Sequence, residues 1–168
     1  MITKEIINRR SVREYKTDPI PEKYITEIIK AGQFAPSGNH NKAIEFVIVK
    51  NKRTKEKIFE IVSQNFVQEF VKQVPLLIIP VTDTSKTHLA IQDLSVATEN
   101  MFLQATALGL GTVWKNLQPD GAQKILKLLK VPKNFTAINL IPVGYPAEKL
   151  EPHTDKDFSS LKIHFESW

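Results

Sequence analysis

The chain has no cysteine in its 168 residues. That excludes disulfides, thiolate nucleophiles and cysteine-ligated zinc or iron–sulfur centres, and it fits a reducing compartment. The N-terminus, Met1 to Arg10, holds no apolar stretch of signal-peptide length, so a cytoplasmic protein is expected. Four histidines, His40, His88, His153 and His164, show no metal-ligand spacing, and no metal site is expected. There is no G-x-S-x-G elbow, no Walker loop and no G-x-G-x-x-G fingerprint; Gly109-Leu110-Gly111 follows a helical pattern instead of opening one. These absences count against conventional hydrolases and nucleotide-fold dehydrogenases.

The most informative absence is local. The chain carries 23 Lys plus Arg, yet none lies between Thr87 and Trp114, so that stretch has few places to meet water. Leu94, Ala97, Met101, Ala105 and Leu108 recur at helical spacing, and a second row runs through Val96, Leu103, Ala107 and Leu110. Two apolar faces need two partners: the chain's own sheet and, on the other side, a second copy of the protein. Gln92, Asp93, Glu99, Asn100 and Gln104 interrupt the stretch too often for a membrane span of about 20 apolar residues. Gly109 suits the position just past the helix end, and Gly111 opens an extended run through Trp114 whose backbone is free to bond a ligand.

A chain of 168 residues suits one domain, 1–168, able to bury roughly 70% of its unfolded surface. The formal charge is +5 and the pI about 9.3. Basic residues are spread among acids, as in Lys50 to Lys57, which reads as a solvated surface and not as a nucleic-acid face. The exception is Arg9-Arg10-Ser11-Val12-Arg13. Three guanidiniums within five residues repel one another unless an anion joins them, and arginine meets phosphate with fork geometry. A solvated helix end is the alternative reading of the same cluster.

The pattern predicts a first helix capped by Thr3 and running into the arginines. A second follows, with Pro21 in its first turn, Ile25, Ile28 and Ile29 on one face, and an end near Gly32. After the loop Ala35 to Asn41 come a strand over 45–49 and helices over 52–62 and 65–71. The apolar run 75–81 predicts a strand covered on both faces, with Pro80 marking a bulge or an unpaired position. The long helix precedes one capped by Asp120 over 122–130, then a strand over 136–143. The tail, 147–168, carries Phe158, Ile163, Phe165 and Trp168, anchors that need a docking surface. Helices around a few buried strands in this order give an α+β layered domain.

Four stretches in this order resemble the flavin-dependent nitroreductase family: R-R-S-V-R near the N-terminus, A-P-S-G-N-H-N before a strand, D-L-S-V-A-T-E-N-M-F-L-Q-A-T-A-L-G-L-G-T-V-W, and I-P-V-G-Y-P with a tail closing H-F-E-S-W. The resemblance covers nearly the whole chain and is nearest to compact members of the family. It implies a central mixed or antiparallel sheet flanked by helices, with the long helix at the interface of a homodimer and the tail docking on the partner subunit. It further implies FMN shared between the two subunits. Arg9 and Ser11 would hold the phosphate, with Arg10 and Arg13 along the ribityl chain and pyrimidine edge. Pro36, Ser37, Gly38 and His40 of the other subunit would border the ring, Trp114, Lys115 and Asn116 would lie along the flavin, and Lys156 would add a phosphate contact. NAD(P)H would be the electron donor and a nitroaromatic, quinone or similar small molecule the acceptor, by ping-pong kinetics, with the cofactor supplying the redox chemistry and no residue acting as catalytic acid or base. Neither nucleic acid nor membrane is an expected partner.

The chain departs from the family pattern in three places. His40-Asn41-Lys42-Ala43-Ile44 stands where the family usually reads N-x-Q-P-W. Asp157 precedes Phe158, so the tail cation sits one place earlier, at Lys156. Lys72 is the nearest candidate for a basic residue before the second main strand. Two other readings stay open: a specialised flavin enzyme of the dehalogenating or flavin-destroying type, and a flavin or nucleotide carrier without catalysis.

Overall fold

The computed structural model describes residues 1–63 and 67–168. In chain order the elements are α1 (Lys4–Asn8), α2 (Glu22–Gln33), β1 (Ile44–Val49), α3 (Lys52–Val62), α4 (Phe70–Gln73), β2 (Leu76–Asp83), α5 (Ala90–Ala107), β3 (Gly111–Thr112), β4 (Lys115–Asn116), α6 (Pro119–Leu128), β5 (Phe135–Thr136) and β6 (Asn139–Gly144). Short 3-10 turns occupy Gly38–His40, Asp155–Asp157 and Ser160–Lys162.

The sheet is built on β2, every residue of which is buried. It pairs antiparallel with β1, Ile44 opposite Thr82 through Val49 opposite Leu77, and on its other side with β6 and β5. β3 and β4 both pair antiparallel with β6. Period-two alternation sends successive β2 residues to opposite layers. Leu77 and Ile79 join Ile58, Val71, Ile125 and Leu140 under α3, α4 and α6; Leu76 and Ile78 join Ile25, Ile28, Met101 and Ile141 under α2 and α5. Each such fully buried aliphatic side chain contributes about 1.5–3 kcal/mol. The expected α+β fold, an antiparallel sheet with helices on both faces, is the one observed.

Pro80 makes no bulge, since it stands in register opposite Phe46. On its other side it falls between the β6 pairing at Leu76–Ile78 and the β5 pairing at Thr82–Asp83, where no ladder bond is required of it. Pro142 acts similarly. The β3 and β4 pairings share one register along β6, and the break between them puts Val113 opposite Pro142, which has no N–H to give.

Several boundaries differ from the sequence reading. Thr3 occupies the cap position of α1, but its side chain makes no capping bond. The helix ends at Asn8 with Arg9 as its C-cap, the Arg9 N–H bonding the Glu5 carbonyl at 2.9 Å, so the cluster begins at a helix end and the rest of it is extended. Pro21 is the cap of α2 and not a residue of its first turn. Asn51 caps α3, accepting from the Thr54 N–H at 3.0 Å. Part of the helix expected over 65–71 lies outside the described residues; the helix described there, α4, spans Phe70–Gln73. Asp120 lies within α6, whose first turn is set by Pro119. The strand expected over 136–143 divides into β5 and β6.

The helix expected to be the spine is α5, which buries Leu94, Ala97, Thr98, Met101, Phe102 and Ala105 along one face. Gly109, at φ 73°, closes it: its N–H bonds the Thr106 carbonyl at 3.0 Å and the Leu110 N–H bonds that of Ala105 at 2.8 Å, the two-bond left-handed cap. The second apolar row is not buried by this chain. Val96 and Ala107 are exposed, Leu103 is half-buried, and Leu110 is buried only because it has left the helix.

Candidate functional site: an arginine strip, a strand edge and a loop

Residues 9–13 run as an extended strip beside β3. Ser11 forms a parallel bridge with Thr112, and the Val12 N–H bonds the Thr112 carbonyl at 2.9 Å. This approach needs Gly111: a Cβ there would stand 2.6 Å from a Val12 methyl. Val12 therefore anchors the strip in the core while its arginine neighbours remain at the surface.

The chain that leaves β6 returns along the strip and holds it from the other side. The Lys16 N–H bonds the Tyr145 carbonyl at 2.8 Å, the Ala147 N–H that of Glu14 at 2.8 Å, and the His153 N–H that of Ile7 at 2.9 Å. One oxygen of Glu148 accepts from the N–H groups of both Arg13, at 2.5 Å, and Glu14, at 3.0 Å. The Tyr15 hydroxyl donates to the Val12 carbonyl at 2.5 Å. Burial and the Glu148 carboxylate push that phenol well above its usual range, against a smaller opposing pull from Arg13, so it remains a donor.

The guanidiniums are held loosely. Arg9 Nε lies 3.8 Å from Glu99 on α5, Arg10 donates to the Glu151 carbonyl, and Arg13 donates to the Ser11 carbonyl at 3.2 Å. Most of their donors remain available to an anion. The turn Asp155–Asp157, which carries Lys156, follows the His153 N–H bond to the Ile7 carbonyl just ahead of the strip; the Asp157 carboxylate accepts from the Thr154 N–H at 2.8 Å and lies 3.4 Å from His153 Nδ1. The Thr154 N–H first, then His153 and Arg10, hold the Asp157 carboxyl below its ordinary value. Among the described residues no group of three or more acidic or histidine side chains is placed to hold a metal ion.

β3 and β4 continue the strip. Val113 is buried, Trp114 is partly exposed and Lys115 half-buried, and burial lowers the Lys115 ammonium pKa. The Ser11–Thr112 bridge sets the segment carrying Arg9, Arg10, Ser11 and Arg13 beside the strand edge that continues through Trp114, Lys115 and Asn116. A cleft of about 1090 Å³ opens beside it, lined in part by Trp114, Asn116, Leu117 and Leu126.

Pro36, Ser37, Gly38 and His40 belong to a separate feature. Their loop hangs from the start of α5, where the buried Asp93 accepts from the Gly38 N–H at 2.9 Å and from the Thr87 hydroxyl at 2.9 Å. Asn39, His40 and Lys42 all have left-handed φ, at 52°, 53° and 48°, which costs non-glycine residues roughly 1 kcal/mol each. The Lys42 and Ala43 N–H groups bond Ser37 Oγ and Asn41 Oδ1. Arg9 and this loop therefore attach to α5 at Glu99 and Asp93, separated by ~9 Å along the axis and about 240° around it. Within one chain the two groups serve different sides of the helix.

Lys72, on α4, pairs with Glu69 at 2.7 Å over the Phe59 ring. Glu148 escaped the sequence reading because it lies in no recognisable motif, and Asp157 entered it only as a departure from the family's tail pattern, not as the carboxylate that closes the turn. Asp93 had a signal: it is an acid in the first turn of a stretch without lysine or arginine, a site that favours negative charge.

Comparisons with known proteins give the family and the fold of similar chains. The family model described as the nitroreductase family matches residues 6–145. A protein of Methanothermobacter thermautotrophicus, provisionally named NADH dehydrogenase/NAD(P)H nitroreductase, is 34% identical over 172 residues, covering 99% of this chain and 87% of that one. The solved structure of an FMN-dependent nitroreductase from Clostridium difficile R20291 is 29% identical with a TM-score of 0.91, covering 98% of each chain. An iodotyrosine deiodinase of Hydra vulgaris is 27% identical over 175 residues, covering 85% of this chain and 64% of the relative.

Proposed function

The chain belongs to the nitroreductase family, and from that premise we propose that it is an FMN-dependent oxidoreductase that uses NAD(P)H to reduce nitroaromatic, quinone or similar small acceptors. The observation that carries the proposal is the arginine strip. Three guanidiniums and a hydroxyl stand on one extended segment with most of their donors unengaged, and that donor set fits a phosphate monoester. Bound FMN would take two electrons from the donor and pass them to the acceptor.

The residues of the chain bind and orient. Arg9 and Ser11 hold the phosphate, joined by Lys156 from the tail turn, and Arg10 and Arg13 follow the ribityl chain toward the pyrimidine edge. Trp114, Lys115 and Asn116 present backbone and side chain along the ring. Lys115 and Arg13 place positive charge where the ring becomes negative on reduction, and a fixed charge in a partly dry site stabilises it more than water would.

The protein works as a cytoplasmic homodimer. Among the described residues no helix is long and apolar enough to cross a membrane, and the exposed row of α5, with Ile91, Val96 and Ala107, needs a cover. The same holds for Phe158, Leu161, Phe165 and Trp168 in the tail, all strongly exposed on the single chain. We assign residues 1–168 to one domain whose tail, 147–168, reaches the partner, so that Pro36, Ser37, Gly38 and His40 of one subunit border the flavin held by the other.

Purified protein is expected to absorb in the flavin region and to release FMN on heating, with steady NAD(P)H oxidation in the presence of a quinone. A colourless protein that takes up no added FMN would overturn the assignment; a yellow protein without turnover would be a carrier. A narrow dehalogenating enzyme, the second reading, is favoured by the deiodinase relative. Reduction of nitroaromatics and quinones with no release of iodide from an iodophenol separates the two. For the shared site, a chain defective at Arg9 and one defective in the loop, refolded together, should form heterodimers with one intact site and about half the parental activity. Heterodimers that form and remain inactive would put both residues in the same half-site.

A further inference from the structure

The cleft beside Trp114 has an apolar floor from Leu117, Leu126, Phe135 and Ala137 and a rim of three lysines, Lys127, Lys130 and Lys133. None of the three has a carboxylate partner within ion-pair distance among the described residues. The dipole of α6 favours a cation at Lys127 and at Lys130 alike, but it does not require a lysine at a backbone position that glycine would fill without strain.

Lys130 ends α6 in the same way that Gly109 ends α5. Its N–H bonds the Lys127 carbonyl at 3.2 Å, the Val131 N–H bonds that of Leu126 at 2.9 Å, and its φ is 57°. That left-handed position is the one glycine fills without strain, and here the chain has a lysine that lines the cleft. A cation kept against local backbone preference marks a site where charge has a use.

We infer that this cleft binds an organic anion with a planar apolar body, an aromatic carboxylate or sulfonate, whose ring lies on the floor near Trp114 and whose charge meets the lysine rim. The cleft shares Trp114 and Asn116 with the residues assigned to the flavin, and one edge is formed by Ser95 and by Ile91, which belongs to the α5 row assigned to the partner's cover. The inference rests on the proposed function for what happens next. With a nitroaromatic anion, NAD(P)H is oxidised to NAD(P)⁺ while the nitro group takes up two electrons and two protons, giving a nitroso group and water. The anionic substituent is unchanged.

The test compares 4-nitrobenzoate with its neutral isostere 4-nitrobenzamide, by equilibrium dialysis on the FMN-loaded protein and by kcat/KM. The parent should bind and reduce the anion in preference to the amide. Lys130→Gly should lower that preference roughly fivefold, the size expected for a partly exposed charge pair, while raising Tm, because glycine relieves the strained cap. Adding Lys127→Gln and Lys133→Gln should abolish the preference. Equal affinity for anion and amide in the parent, or a preference untouched by the triple variant, overturns the inference, as does a lysine effect confined to the KM for NAD(P)H. Dialysis decides even without turnover: a preference in binding without reduction of either compound supports the cleft and counts against the proposed function.

Discussion

The two groups of residues assigned to the flavin are built in opposite ways. The arginine strip is stitched along its length, to β3 by Val12 and Ser11 and to the chain leaving β6 by Glu148, Ala147 and Lys16. The 35–42 loop is fastened to the body mainly through Asp93, and it carries three left-handed non-glycine residues. A strip held through its backbone can spend its side chains on a ligand. A loop held from one carboxylate can adjust its shape, as a surface bordering varied acceptors requires.

The largest effect should come from cutting that single attachment. Asp93→Ala leaves the Gly38 N–H and the Thr87 hydroxyl without their buried acceptor and should cost about 2–4 kcal/mol in a denaturant titration. Asp93→Asn, which keeps one acceptor, should cost less. If both variants are as stable as the parent, the loop is anchored elsewhere and the contrast fails.

On the strip, losing a side chain should leave stability almost unchanged and act on binding. Arg9→Ala removes charge-assisted bonds worth about 1.5–3 kcal/mol, so FMN should bind roughly ten- to a hundredfold more weakly. Riboflavin, which has no phosphate, should bind parent and variant alike in the same calorimetric experiment. A variant that still prefers FMN as strongly as the parent would remove Arg9 from the phosphate.

The smallest effect concerns pH and the turn that carries Lys156. The Asp157 carboxyl is held below its ordinary value of 3.8, so its contribution is complete above that value and is lost as pH falls through the lowered folded-state value. Protease cleavage at Lys156 or Lys162, using an acid-tolerant enzyme, should therefore be slow at pH 5 and speed up only below about pH 4. In Asp157→Asn it should be fast throughout. Cleavage that does not change with pH in the parent would mean that the carboxylate does not hold the turn.

Much of this was legible in residue order, because the features concerned are local. A run without lysine or arginine from Thr87 to Trp114 had to be a core helix, glycine at 109 had to end it, and an apolar run around Ile78 had to be a strand covered on both faces. Arginines crowded over 9–13 called for an anion whatever the fold. Other features depend on residues distant in sequence, and no spacing encodes them. Glu148 grips the Arg13 backbone from the far end of the sequence, Pro142 interrupts the pairing of β3 and β4 with β6, and Asp93 suspends a loop that precedes it by more than a strand. Periodicity could count the apolar faces of α5, but only packing decided that the chain's own sheet and α2 cover one of them and leave the row through Val96 and Ala107 exposed. The pattern of a helix records which residues avoid water. The tertiary structure determines what covers them.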